Sequence, residues 1–517
     1  MVKNDIREAL KKAAPEGAWG LSISTDEKKG HLSSNAALLS AKAWGIGPKE
    51  AAEKIKGEIE GKVEGIERIE VAGPGFLNFY LTHEAMAEAL HDFEKKLTKG
   101  FDSRKGEKAN IEFISANPTG ELHIGHGRGA FYGDALANVL EFCGGKVTRE
   151  YYVNISRKSS QIKELGKTAL GKGEQYKTPE LEALIKSMDL SGLDEIEAGY
   201  LLAEKIQERN REFIEEKLKI SFDEWFVEEE KLHASLVNER TLAALKMKGL
   251  TYEKDGAVWL KTSEYGDDED RVVVRSDGTL GYFLPDIAYH IDKFSRGYDM
   301  VIDVLGADHQ GHVRRMQAVR KMFGWKGELK VFISQLVTLK HGEDLTKMSK
   351  RAGNVVYLRD LVEEFGLDVV RWFYGEKSLN THMEFDARLA KEHSEKNPVF
   401  YVQYAHARIA SIIAKAKGLP NDGTTLLDVM REPSARQLSL ELLKFEEVLE
   451  AAADDFHVHR LTSYASALAS AFSGFYRDVR IVGDGSYNGG GYALLLMTKA
   501  ALSKSLGLLG ISAPEKM

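Results

Sequence analysis

The feature that most constrains this chain is a strand, a glycine-rich turn, a helix and a second strand in succession. Ile111-Glu-Phe-Ile114 is a short apolar run, and Ser115-Ala-Asn-Pro-Thr-Gly120 is a loop. Ala130, Ala135, Leu136, Val139 and Leu140 then fall on one helical face, and Val147 to Val153 reads as a strand. Two sheet strands joined through a helix run parallel. A Rossmann-type α/β sheet is therefore expected, with ligands near a helix N-terminus.

Strand-like segments return at Val272–Arg275, Val301–Val304 and Val331–Ile333, after a mostly helical stretch at about 160–250. The α/β unit is expected to span 106–385, with that stretch as a helical insertion. Residues 1–100 read as a small α+β unit. Leu38, Leu39, Ala43 and Trp44 have helical spacing, and Ile66–Val71 and Phe76–Leu81 flank the turn Gly73-Pro74-Gly75. Lys95–Lys108 reads as a linker. From 386 to 517 only helical periodicity persists, and Gly489-Gly490-Gly491 is expected to form a flexible loop. A length of 517 residues suits three or four cores at roughly 150 residues each.

Composition narrows the class further. Hydrophobic residues at 43% and charged residues at 29% exclude wholesale disorder and collagen-like structure. The single cysteine, Cys143, excludes a disulfide framework and a multi-cysteine zinc site, and fits a reducing compartment. The N-terminus mixes Lys3, Asp5, Arg7 and Glu8 and lacks the apolar core of an export signal. The uncharged run between Arg460 and Arg477 is broken by hydroxyl residues and is too short to span a bilayer. A cytoplasmic protein without membrane association is expected, acting as a monomer.

A net charge of −8 disfavours nucleic acid globally, but local fields guide a polyanion. Residues 311–330 hold Arg314, Arg315, Arg320, Lys321, Lys326 and Lys330 against Glu328 alone. The tail adds Arg388, Lys391, Lys396, Arg408, Lys415 and Lys417.

Two motifs carry chemistry. His123-Ile124-Gly125-His126-Gly127 opens the helix of the strand–helix–strand unit. Free amides there attract phosphate, and the histidines share a face from which they can donate hydrogen bonds. A metal-chelating pair and a core-packing pair are the alternatives, the latter short of apolar surface beside two glycines. Far downstream, Lys347-Met348-Ser349-Lys350-Arg351 precedes Gly353 and Asn354. Such a run is usually a solvated charge cluster, but it also suits a phosphate clamp. Gly166-Lys167-Thr168 mimics the end of a P-loop, yet Gln161 stands where that motif needs glycine.

The pair His-Ile-Gly-His and Lys-Met-Ser-Lys resembles the signatures of class I aminoacyl-tRNA synthetases. Within that class the chain is similar to the arginyl-tRNA synthetases. The similarity rests on Ser115–Gly120, Lys347–Val356, Val71–Phe76, Phe400–Arg408 and the ending Leu508–Met517. It spans essentially the whole chain, with two departures. Tyr151-Tyr-Val-Asn154 continues as Ile155-Ser-Arg-Lys158, without the family's usual Asp and Gly, and the 489–491 glycines replace a usually charged helix.

The resemblance implies an arginine–tRNA ligase that uses ATP with magnesium and holds no resident metal. The implied catalytic residues are His123, His126, Lys347 and Lys350. Gly125, Gly127, Met348 and Ser349 join them around ATP, and Glu112, Asn117, Tyr282, Asp286 and Gln310 would hold arginine. It also implies that tRNA(Arg) binds before activation. The N-terminal unit would touch the tRNA elbow and the helical tail the anticodon, with Tyr401, Tyr404 and Arg408 as contacts beside Phe400 and His406.

Each pocket residue also has a plainer reading. Glu112 could be a surface acid at a strand edge, Asp286 a helix cap, Tyr282 a core aromatic and Gln310 a loop-end hydrogen bonder. Against the first, an acid framed by Ile111, Phe113 and Ile114 is costly unless a cation meets it. Asp308, His309 and His312 could ligate a metal instead. A class I synthetase of other specificity and a non-catalytic RNA-binding paralogue are the rival functions. The acids suit a cationic substrate against the first, and the intact histidines and lysines argue against the second.

Overall fold

The computed structural model describes residues 2–14, 17–24, 26, 29–340 and 356–517. Two compact units emerge: residues 104–391, and residues 1–103 together with 392–517.

The 104–391 unit is built on a five-stranded parallel sheet. Its order is Glu328–Ile333, Met300–Leu305, Lys108–Glu112, Lys146–Val153, Glu224–Val227. The chain winds outward in both directions from Lys108–Glu112, so the switch in winding falls between that strand and Met300–Leu305. Ligand crevices of open α/β sheets form at such points. Helix Ile124–Phe142 makes the expected crossover, and Gly133 lets it press onto the ring of Phe113, where any side chain would collide.

Two features of this unit differ from the sequence reading. Glu224–Val227 joins the sheet although it sits in a stretch read as helical; four residues between helices are too few for a periodic signal. Arg271–Val274 leaves the parallel sheet and pairs antiparallel with Ala257–Leu260, which pairs with Thr251–Lys254. Apolar β runs look alike whichever sheet they join. The insertion carries helices Ser160–Ala169, Pro179–Lys186 and Glu195–Glu212. Gly166 lies within the first of these, and a Cβ there would strike the Glu195 carbonyl. That glycine serves helix packing, as the rejection of the P-loop requires.

In the other unit, a four-stranded antiparallel sheet runs Leu21–Ile23, Leu32–Ser34, Phe76–Leu81, Ile66–Ala72. Helices Val2–Ala13, Ala36–Trp44 and Pro48–Ile59 supply the rest of its core. The expected linker is helix over its first five residues, because His83–Lys99 runs on with Thr82 as its cap. Met86, Leu90, Phe93 and Leu97 give it a buried face under its charges, and Phe93 meets Phe445 edge to face. Phe445 belongs to Pro433–Asp455, which packs with Arg460–Asp478 and Gly489–Leu508 in the helical tail, and Pro398–Ala416 packs on those same two helices. Lys3 pairs with Glu447 at 2.7 Å and Lys96 with Glu446 at 2.8 Å, so the two ends of the chain share one body.

The glycine run is not a loop. It forms the first turn of Gly489–Leu508, with the Asn488 side chain accepting from the Gly491 amide at 2.6 Å. A Cβ on Gly490 would strike the Thr425 carbonyl. Gly489 and Gly490 there serve close approach of two backbones rather than flexibility.

Candidate active site

The site begins where strand Lys108–Glu112 ends. Ile114 and Ser115 both adopt left-handed backbone, with φ of 69° and 40°. For a β-branched residue this is strained and needs support from its surroundings. Ser115 Oγ accepts from the Tyr152 amide at 3.1 Å, and the Ala116 amide donates to Tyr151 Oη at 3.1 Å. The turn carries the chain to helix Ile124–Phe142.

At that helix start, His123 is the N-cap. Its Nδ1 accepts from the Gly125 amide at 3.1 Å, while His126 Nδ1 accepts from the His123 amide at 3.1 Å. The rings stack with centroids 3.8 Å apart. A nitrogen that accepts carries no proton, so each neutral ring carries its hydrogen on Nε2. Burial lowers both histidines, His126 to about 3, which keeps them uncharged at neutral pH. The reciprocal caps answer the core-packing and chelation alternatives: these rings are spent on the helix start, with one donor each to spare.

The second motif, Lys347, Met348, Ser349 and Lys350, lies outside the described residues. The chain that follows it is anchored beside the histidines. The Ile124 amide donates to the Val356 carbonyl at 3.0 Å, the Leu358 amide to Leu122 at 2.8 Å, and Tyr357 bridges His123.

The switch point holds a row of acids. Register places Asp303 beside Glu112, Glu112 beside Glu150 and Glu150 beside Glu224, so the four share a face. Glu112 is buried in a central strand, not at a surface edge. A cation does meet it, from within the chain: Lys293 Nζ donates to Glu112 at 2.5 Å and to Asp303 at 2.7 Å. Arg296 grips Glu150 with two bonds of 2.7 and 2.9 Å, and Tyr289 donates to it at 2.7 Å.

Helix Phe283–Ser295 brings these groups together. Asp286, His290 and Lys293 lie at i, i+4 and i+7, hence on one face. His290 Nε2 bonds Asp303 at 2.9 Å, and its Nδ1 lies 2.8 Å from the Asp286 carbonyl. Asp286 is not the cap, since Tyr282 takes that position. Its side chain keeps 40% of its surface open, with His312 Nε2 3.6 Å away. Burial pushes its carboxyl up to about 7, and the charges of Glu228, Glu112 and Asp303 add to the rise while His290 opposes it. Desolvation raises the half-buried Tyr152 well above its ordinary range, and Glu228, Asp286 and Glu112 add to the rise. Asp286, Glu228 and Glu112 therefore lie in one neighbourhood, where Glu228 also sits 3.1 Å from His233 Nε2. A cation with several donors would relieve that repulsion.

The other expected residues lie at the surface of this unit. Tyr282 is 69% exposed, so it is no core aromatic; its hydroxyl lies 3.0 Å from Ser160 Oγ, and Arg275 stacks on its ring. Asn117 accepts from Asn154 at 2.6 Å, which ties it to the segment that departs from the family pattern. Gln310 is exposed after the turn Ala307–His309. Sequence reasoning missed Glu228, His290, Lys293 and Asp303. Asp303, an acid inside Val301-Ile-Asp-Val304, carried the same signal as Glu112.

In the helical tail, Phe400 and Tyr404 stack with planes 5° apart, and Tyr404 and Arg408 are exposed. Arg408 sits over Tyr476, and Tyr401 is half-buried near Ser473. His406 does not belong to that surface: it is buried, 2.8 Å from the Pro514 carbonyl. Among the cations of 311–330, Arg314 pairs with Asp268 and Lys330 with Glu328, which softens the local excess.

Comparison with known proteins agrees along the whole chain. Residues 1–81 match the arginyl tRNA synthetase N terminal domain, and 87–156 with 191–386 match the class I (R) tRNA synthetase catalytic domain. Residues 402–517 match the DALR anticodon binding domain. An arginine–tRNA ligase of Shouchella clausii is 40% identical, with 95% of this chain and 93% of that protein aligned. One of Listeria monocytogenes is 39% identical over 96% and 94%. A Campylobacter jejuni structure described as a putative arginyl tRNA synthetase has 31% identity and a TM-score of 0.70, covering 84% of this chain and all of its own. The Thermus thermophilus arginyl-tRNA synthetase covers both chains fully at TM-score 0.79 and 22% identity, a likeness of fold. With matching domains in order and such relatives along its length, the chain belongs to the arginyl-tRNA synthetases, the class I ligases that aminoacylate tRNA(Arg).

Proposed function

We propose that arginine lies in the crevice at the switch point, its cationic side chain facing Asp286 and Glu228 with Glu112 close by. The convergence of these acids on one neighbourhood carries this reading. A guanidinium offers five donors in a fixed fork, which matches paired carboxylates. Tyr282, Asn117 and Gln310 would complete the pocket at its rim.

ATP would lie along the start of helix Ile124–Phe142. The free Nε2–H groups of His123 and His126 would face its phosphates, with Gly125 and Gly127 leaving room. The arginine carboxylate attacks the α-phosphorus, forming the acyl–phosphate bond as the bond to pyrophosphate breaks. Lys347 and Lys350, with Met348 and Ser349 between them, would meet the charge that develops on the departing pyrophosphate. Among the described residues no three His, Cys, Asp or Glu form a metal cage. Magnesium would accompany the triphosphate and offset its charge. The 2′-hydroxyl of the tRNA's terminal adenosine then takes arginine and releases AMP.

The remaining assignments follow the same reading. Residues 1–100 would serve the tRNA elbow, 106–385 the chemistry and 386–517 the anticodon, where Tyr401, Tyr404 and Arg408 offer stacking faces. The protein would work as a cytoplasmic monomer. Among the described residues no helix is long and apolar enough to cross a membrane. Replacing Asp286 by Asn tests the pocket. The arginine requirement should rise while tRNA affinity holds; the reverse pattern would assign Asp286 to the RNA.

A further inference from the structure

Lys293 is fully buried in the crevice wall, at 0%, in the last turn of helix Phe283–Ser295. An unpaired ammonium so deep would not stay charged. Here it bridges two acids on neighbouring strands, Glu112 and Asp303, on opposite sides of the switch point. The two carboxylates lie side by side in register and would repel without it. Lys293 is held above its ordinary range by them, against burial, and Asp303 is held well below its own with His290 also assisting.

The bond to Glu112 is one-sided. Lys293 takes Oε2, and among the described residues no hydrogen bond reaches Oε1. Asp303 is fully engaged, one oxygen on Lys293 and the other on His290. Glu150, the next acid in the row, is likewise taken up by Arg296, Tyr289 and Asn110. Of these three buried acids, only Glu112 keeps an unclaimed oxygen.

The geometry points to Lys293 as a positioning residue for arginine: by fixing Oε2 of Glu112 it leaves Oε1 as one oriented acceptor for the substrate's cation. It also cancels Asp303, so the row does not present surplus charge that any cation could satisfy. Lys293 does not touch the substrate; it acts through Glu112. This rests on the proposal that Glu112 contacts arginine, and the test separates the two claims.

The experiment is a double-mutant cycle of Lys293→Met and Glu112→Gln, read as steady-state aminoacylation with arginine and ATP varied separately. Lys293→Met should raise KM for arginine at least about tenfold and leave KM for ATP within about twofold, because only the arginine pocket loses orientation. The double variant should lose far less than the two single losses combined, since Lys293 then has no Glu112 carboxylate left to position. Full additivity would overturn the inference, as would a loss confined to melting temperature or shared equally by both substrates. Glu112→Gln with an unchanged arginine KM would instead sink the contact between Glu112 and arginine, and the inference with it. Should Lys293→Met fail to fold, Lys293→Gln, which keeps length and polarity, must give the same pattern.

Discussion

His123 and His126 stack face to face, and each Nδ1 accepts from a backbone amide at the start of the helix they open. This divides the work of each ring. One nitrogen completes the cap, and the other keeps a hydrogen for the phosphates. Asparagine can imitate the capping nitrogen but not the distant donor. His126→Asn should therefore melt near the parent temperature and turn over about 10²–10³ times more slowly. Calorimetry with single-turnover kinetics checks both halves; an unchanged rate would leave the ring with a capping role only.

Asp286 predicts a pH dependence. Its carboxyl must be ionised to meet a guanidinium, and burial with nearby acids holds it at about 7. His312 and His126 lie lower, at about 4 and 3, and stay neutral across the assay range. The value of kcat/KM for arginine should fall about tenfold from pH 8 to pH 6, the free-enzyme limb that this quantity reports. Asp286→Asn should flatten that limb. The sign for stability is opposite: a carboxyl raised in the folded state costs stability at high pH, and the cost fades as pH drops through 7. At pH 8 the Asn variant should therefore melt above the parent.

Lys350 is expected to stabilise charge that exists only as pyrophosphate leaves. Lys350→Ala should lower kcat about 10²–10³-fold, with a smaller change in KM for ATP. Pre-steady-state formation of the adenylate with tRNA present measures this. An unchanged rate would remove Lys350 from the chemistry.

The helical tail gives a paired prediction. Tyr404→Ala removes an exposed stacking face and should weaken tRNA(Arg) binding about 5- to 100-fold. His406→Ala should destabilise the unit through its contact with the C-terminal segment and leave tRNA affinity close to the parent. Filter binding at fixed salt separates the two, and equal losses would contradict the division between face and core.

The histidine motif was legible because a helix start with glycine and histidine has a defined chemical use. Glu112 was legible because its apolar neighbours make a buried acid conspicuous. What it meets was not, since Lys293 lies 181 residues downstream and only parallel register brings them together. Glu228 was hidden for a similar reason: the short strand Glu224–Val227 that carries the chain there has too few residues to show a period. The glycines at 489–491 misled because composition does not reveal whether glycine frees a backbone or lets two backbones touch.

The central claim is that an acidic crevice recognises the charge of arginine. The direct measurement is ATP–pyrophosphate exchange, with tRNA(Arg) present, using arginine or its neutral ureido counterpart citrulline in the parent and in Asp286→Asn. The account predicts exchange with arginine, little with citrulline, and a variant whose preference for arginine shrinks while its KM for tRNA holds. Comparable exchange with both amino acids in the parent, or an undiminished preference in the variant, would contradict it.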